Sequence, residues 1–149
     1  MEQRYEKISF SDKLFKNIIS LRREVFCGEE GEKPAFIKDN RDEKGYHIVC
    51  AIGDDLLGCG SIYDNGNGEF EISKIAVKRD YRKFLIGSNI LKELTNIAKE
   101  QGAKRIVGES TWSGSGTICY QQAYSFITGS SVRICTKDRS EPVIELYSG

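Results

Sequence analysis

The sequence predicts an α/β (α+β) fold, a mixed β-sheet with helices on its faces. Three observations carry that reading. Short apolar runs with strand character are separated by turn residues, and in between the apolar period lengthens to that of an amphipathic helix. The resulting order is β-α-β-β-β-α-β-α-β-β: a meander, a β-α-β crossover, then two closing strands. With 149 residues the chain fits one domain, 1–149, better than two.

Tyr5 to Phe10 reads as the first strand, ended by Ser11-Asp12, a helix N-cap followed by a first-turn acid. Leu14, Phe15, Ile18, Ile19, Leu21, Val25 and Phe26 recur at helical spacing and predict an amphipathic helix to about Phe26. Residues 28–45 are polar and irregular, and predict a surface loop or short helix beside a binding cleft. Two strands follow, Tyr46–Ile52 and Leu56–Tyr63, joined by the turn Gly53-Asp54-Asp55. A second turn, Asp64-Asn65-Gly66-Asn67-Gly68, leads into the strand Glu69–Val77. Ile86, Ile90, Leu91, Leu94, Ile97 and Ala98 mark a helix that stops at Gly102. Lys104–Val107 predicts a strand, Gly116–Tyr124 a helical segment, and Ser131–Thr136 and Val143–Tyr147 the closing strands.

Composition excludes several function classes. Lys plus Arg number 22 and Asp plus Glu number 22, so the chain lacks the basic excess of a dedicated nucleic-acid binder. Mean hydropathy is −0.43, and no apolar run approaches the ~20 residues of a membrane helix. No signal-peptide core follows Met1, so a cytoplasmic location is expected. The five cysteines form no C-x-x-C pair and His47 is the only histidine, which argues against a zinc site or a disulfide framework; no metal is expected.

The segment from Ile72 to Leu91 carries the chemistry. A strand runs into a basic turn that opens directly into a helix, where N–H groups without intrahelical partners and the helix dipole make a phosphate cradle. Lys74, Lys78, Arg79, Arg82 and Lys83 face one acid, Asp80, and Gly87-Ser88 allows close approach of a ligand. On charge and helix start alone, an ordinary strand-to-helix turn with solvated lysines is the competing reading. The stretch Val77-Lys-Arg-Asp-Tyr-Arg-Lys-Phe-Leu-Ile-Gly-Ser-Asn-Ile-Leu91 resembles the acyl-CoA-binding motif of the GCN5-related N-acetyltransferase (GNAT) family, Arg/Gln-x-x-Gly-x-Gly/Ala at a helix start. Arg82 matches the first position and Gly87 the last, while Leu85 replaces the middle glycine. Right-handed helical geometry is expected at Leu85, which would make the exchange tolerable. A second, narrower resemblance is to the branch of YjcF- and ElaA-type proteins. It lies in residues 23–30, in Asp39 and Asp42, and in His47.

The resemblance implies a GNAT-like mixed, mostly antiparallel sheet and direct transfer of an acetyl group from acetyl-CoA to a primary amine of a small molecule or peptide. It implies coenzyme A contacts at Ile75, Ala76 and Val77 through their main chain, and at Arg82, Lys83, Phe84, Leu85, Ile86, Gly87 and Ser88. An alkylamine with a pKa of about 10.4 must lose a proton first, so a carboxylate base is needed. Strand alternation puts Glu71, Ser73, Ile75 and Val77 on one face, with Glu71 as the base and Glu69 as its competitor; a solvated edge carboxylate is the bland reading of Glu71. The family's acid for the departing thiolate is a tyrosine on the helix after the fifth strand. Tyr120 is the choice here and Tyr124 the substitute, because the register places Gln121 at the expected position. The acids of residues 29–42 would favour a cationic acceptor by Coulomb attraction. His47 and Trp112 read as core residues before they read as site residues, and Ser115 lacks the setting of a nucleophile elbow. No nucleic-acid or membrane partner is expected, whereas pairing through an edge strand into a homodimer is common in the family. A catalytically silent CoA-binding or protein-interaction module on the same fold is the alternative.

Overall fold

The computed structural model describes residues 3–29, 31, 34, 37–109, 132–138 and 141–147. Its strands are β1 (Arg4–Ile8), β2 (Tyr46–Ile52), β3 (Asp55–Gly66), β4 (Glu69–Val77), β5 (Arg105–Glu109), β6 (Val132–Asp138) and β7 (Glu141–Tyr147). They form one seven-stranded sheet in the order β1-β2-β3-β4-β5-β7-β6. Every pairing is antiparallel except β4 with β5, which the crossover through helix α2 (Ile86–Glu100) makes parallel. The mixed, mostly antiparallel sheet expected from the sequence is present. The helical segment expected over 116–124 lies outside the described residues.

Two cores sandwich the first half of the sheet. On one face α2 buries Ile86, Ile90, Leu91, Leu94, Ile97 and Ala98, the very positions its period selected, against Ile48, Leu57, Ile62, Phe70, Ile72, Ile75 and Val77. The helix lies unusually close to β3. A Cβ on Gly60 would sit 2.7 Å from Ile90 Cγ2, and one on Gly58 2.7 Å from Ile86 Cγ2, so two strand glycines fix where the start of α2 sits. At its other end Gly102 takes φ +75° and its N–H donates to the Lys99 carbonyl.

On the opposite face helix α1 (Phe15–Arg22) and a π-helical turn over Arg23–Glu29 bury Phe15, Ile18, Leu21, Val25 and Phe26 against Val49, Ala51, Cys59 and Ala76. The sequence placed the cap of this helix too early. Asp12 Oδ1 accepts from the Leu14 N–H at 2.9 Å and so stabilises a turn that precedes the helix, which begins at Phe15 with no side-chain cap. Within residues 28–45 the short helix that the loop reading allowed is a 3₁₀ turn, Asn40–Glu43, with Asp39 at its cap in a reciprocal capping box with Asp42.

Candidate active site

The site is built at the end of β4. Among the described residues, pairing of β4 to β5 runs from Glu69↔Arg105 to Ile72↔Gly108, while β4 continues through Val77 along β3. Between Ser73 and Ala76 the β4 strand carries one residue more than β3 does between Ser61 and Cys59. This is a β-bulge, and Lys74 within it has φ +56°. The bulge corrects the alternation expected from the sequence. Glu71 stands opposite Tyr63 on the α1 side, but beyond the extra residue Ile75 and Val77 turn to the α2 core and only Ala76 stays with the α1 core. Glu71 and Ser73 therefore do not share a face with Ile75 and Val77.

Immediately after β4, a 3₁₀ turn (Arg79–Phe84) leads into α2. The Asn89 N–H donates to the Leu85 carbonyl, so the N–H groups of Ile86, Gly87 and Ser88 are those that a helix start leaves without intrahelical partners. Arg82 folds back and donates from Nε to the Val77 carbonyl at 3.0 Å, tying the turn to the strand end. Gly87 packs loosely: a Cβ there would meet only Val77 Cγ2, at 3.6 Å. Phe84 and Leu85 are 56% and 69% exposed, so two apolar side chains stand on the rim of the cradle. Of the five bases expected around it, Lys74 turns away, its Nζ 3.2 Å from Asp39 Oδ2. The side chain of Lys83 lies outside the described residues.

Leu85 itself corrects an expectation. Its backbone is left-handed, φ 57° and ψ 23°, not right-handed, because the chain must reverse from the 3₁₀ turn into α2 at this residue. Glycine, which stands here in the motif the segment resembles, takes that geometry freely, whereas a leucine costs about 1–2 kcal/mol in it. Leu85→Gly removes the strain and little burial, against a chain-entropy cost of about 0.5–1 kcal/mol. The variant is expected to melt at the same temperature as the parent or up to about 6 °C higher, whereas Leu85→Ala, which keeps the strain, should gain nothing. A clear fall in melting temperature for Leu85→Gly would mean that the exposed side chain is itself an anchor.

Glu71 is not a solvated edge carboxylate. It is 3% exposed, with Oε2 accepting from Arg41 Nη2 at 3.1 Å and Oε1 from Asn65 Nδ2 at 3.1 Å. The same Asn65 nitrogen reaches Glu69 Oε2 at 3.1 Å. Behind this pair lies a polar core that periodicity did not mark. Arg22, fully buried at the end of α1, donates to Asp42 Oδ2 and Oδ1 at 2.9 and 3.2 Å, to the Ile37 carbonyl at 2.9 Å and to Ser61 Oγ at 2.8 Å. Among the described residues no acceptor meets its Nε. Tyr63 donates to Asp42 Oδ1 at 2.6 Å, and burial pushes that phenol well above its ordinary pKa. His47 is fully buried between Ser61 Oγ at 2.6 Å and the Asp42 carbonyl at 2.9 Å; burial lowers its pKa, as befits a neutral structural imidazole. Burial alone would raise the Asp42 pKa, but Arg22 and Tyr63 outweigh it and hold the carboxyl below its ordinary value. Hydrogen bonds from Arg41 hold Asp39 well below the ordinary carboxylate range. Asp39 and Asp42 are thus neutralised by internal cations, which removes their share of the expected pull on a cationic acceptor. Tyr120, Gln121 and Tyr124 lie outside the described residues, as do Trp112 and Ser115.

A family model for the acetyltransferase (GNAT) family matches residues 15–111, from the first helix to just past β5. The chain belongs to that family. The GNAT sheet and crossover recur in solved structures of low identity. The PaiA N-acetyltransferase from Thermoplasma acidophilum, solved with coenzyme A, has a TM-score of 0.72 at 16% identity, covering 99% of each chain. A Bacillus subtilis acetyltransferase, also solved with coenzyme A, gives 0.68 at 18% identity over 98% of this chain and 99% of its own. Escherichia coli ElaA gives 0.72 at 14% over 97% and 99%. No curated protein sequence matches the chain.

Proposed function

We propose that the chain transfers an acetyl group from acetyl-CoA to a primary amine of a small molecule or peptide. The observation that carries this reading is one of placement. Strand β4, whose pairing with β5 among the described residues reaches Ile72, ends five residues later at Val77, beside a helix start whose first N–H groups lack intrahelical partners. An extended thioester whose tail lies along that strand would have its pyrophosphate at Ile86, Gly87 and Ser88, with Arg82, Lys83, Phe84 and Leu85 around it. The residues present fit that ligand, since Gly87 leaves room where a side chain would stand. When bound, acetyl-CoA supplies an activated acyl carbon.

The chain's own residues do the rest. Main-chain groups of Ile75, Ala76 and Val77 orient the thioester carbonyl and stabilise charge on its oxygen. Glu71 accepts the ammonium proton of the acceptor, directly or through a water. Tyr120 donates a proton to the departing thiolate. The alternative, a silent coenzyme A-binding module, keeps the first of these parts and lacks the second and third.

Thiol release from acetyl-CoA across a panel of amines separates the two. Glu71→Gln should keep coenzyme A affinity and lower kcat/KM by about 10²-fold near neutral pH, the low end of general base catalysis. The loss should shrink as pH rises and the amine deprotonates unaided. Unchanged turnover in Glu71→Gln would move the base to Glu69 or remove it from the mechanism.

A further inference from the structure

Glu71 sits in a closed ring of hydrogen bonds. Arg41 donates from Nη2 to Glu71 Oε2 at 3.1 Å and from Nη1 to Asn65 Oδ1 at 2.9 Å, and Asn65 donates to Glu71 Oε1 at 3.1 Å. The guanidinium is fixed in turn by Asp39, with Nε to Oδ1 at 3.0 Å and Nη2 to Oδ2 at 2.8 Å, and it stacks over the Tyr63 ring at 4.3 Å. Asp39 is anchored to the core, because its N–H donates to Asp42 Oδ2 and Asp42 is locked to Arg22. A relay of charged groups therefore runs from the end of α1 through the 3₁₀ turn to the candidate base on β4.

We propose that Arg41 is a positioning residue for the carboxylate of Glu71: it fixes the orientation of that carboxylate and supplies its counter-charge. The inference rests on the reading of Glu71 as the base. An exposed ion pair would not deserve it, since such pairs contribute little. Here the arginine side chain is 38% exposed but the carboxylate only 4%, so the charge being balanced is a buried one. Among the described residues, the groups that face Glu71 are Arg41 and Asp39 from the turn, Tyr63 and Asn65 from β3, and Glu69 and Lys74 from β4 itself. Lys74 reaches Asp39, so removing Arg41 leaves Glu71 buried beside a second carboxylate that shares the Asn65 amide. Burial and like charge both favour protonation. A base that protonates more readily stays active over a narrower pH range. An arginine that merely braces the turn would leave that range alone.

The test titrates the full chain by NMR with ¹³C-labelled glutamate, Glu71 being assigned by its loss in Glu71→Gln. Arg41→Gln is expected to raise the Glu71 midpoint by about one unit or more, and Arg41→Lys, which keeps the charge without the fork, to raise it less. Thiol release from acetyl-CoA follows the same variants, with whichever of spermidine, glycine and a lysyl peptide the parent chain uses fastest. Its acidic limb should move with the midpoint, at unchanged coenzyme A affinity. If Arg41→Gln does not fold, Arg41→Lys carries the test, with a loss of roughly tenfold in kcat expected from a misplaced base. A midpoint and acidic limb that stay put while Glu71→Gln is still impaired overturn the role of Arg41 and leave the base reading intact. Wild-type thiol release in Glu71→Gln overturns the base reading, and with it this inference.

Discussion

Gly87→Glu is expected to abolish coenzyme A binding and leave the fold intact. The two effects separate because the position is open on the protein side. A Cβ on Gly87 meets Val77 Cγ2 at 3.6 Å, an ordinary contact, and Gly87 is not among the glycines with positive φ. A glutamate in the first turn of a helix is even mildly favourable to the helix, by about 0.3–1 kcal/mol. Toward the ligand the same change places bulk and a negative charge where the pyrophosphate should lie, and like charges brought together cost several kcal/mol. The affinity should fall at least 100-fold, about 2.7 kcal/mol, with the melting temperature of the protein alone unchanged or slightly raised. Wild-type affinity in this variant would mean that the pyrophosphate sits elsewhere.

Arg22→Met should be the most destabilising single change at the site. It leaves Asp42, 2% exposed, without the cation that holds two of its oxygen contacts, and it deprives Ser61 and the Ile37 carbonyl of a donor. Removing one partner of a buried ion pair costs about 3–5 kcal/mol, or roughly 10 °C in melting temperature for a chain of this size. Adding Asp42→Leu should recover part of the loss, the mark of coupling between the two. The pH profile of stability should reflect the same core. Unfolded His47 takes up a proton near its ordinary pKa of about 6.5, whereas in the fold burial delays that uptake to lower pH. Between the two values the unfolded state binds more protons, so stability falls as the pH drops below about 6.5. Asp42, held below its ordinary value, adds a contribution that is complete above the usual carboxylate range and is lost as the pH falls through its lowered folded pKa. Arg22→Met should flatten the second fall and leave the first largely in place. A variant as stable as the parent would show that the buried pair is dispensable.

What the sequence revealed and what it hid follow from the same physics. The period of Ile86, Ile90, Leu91, Leu94, Ile97 and Ala98 located α2 because a helix against a sheet must bury a continuous stripe, and all six are buried. The bounds of β4, Glu69–Val77, were legible because the glycine-rich turn before it and the basic turn after it punctuate the chain. Two things were hidden. Period-2 reasoning assumes an unbroken pleat, and the extra residue at Lys74 breaks it midway, so the faces of Glu71 and Ile75 came out together on paper and apart in the fold. Hydrophobic patterning also scores Arg22 and Arg41 as surface. The burial of Arg22 beside Asp42 and the seating of Arg41 against Glu71 depend on partners 20 and 30 residues away, a pairing that local pattern does not encode. One signal did point that way. In Asp39-Asn-Arg-Asp42, a cap residue is followed three positions later by a second acid, which is the pattern of the capping box that places Arg41.

The most direct test of an acyl-CoA site at the corner of β4 and α2 is calorimetric titration of the full chain with coenzyme A at low and high salt. A saturable isotherm at one molecule per chain is expected, tighter than about 1 mM, the level of 4.1 kcal/mol. It should weaken as salt screens the phosphates, with a matching rise in melting temperature from selective binding to the folded state. A flat isotherm at millimolar coenzyme A, with the chain folded, would contradict the site and the transfer reaction built on it.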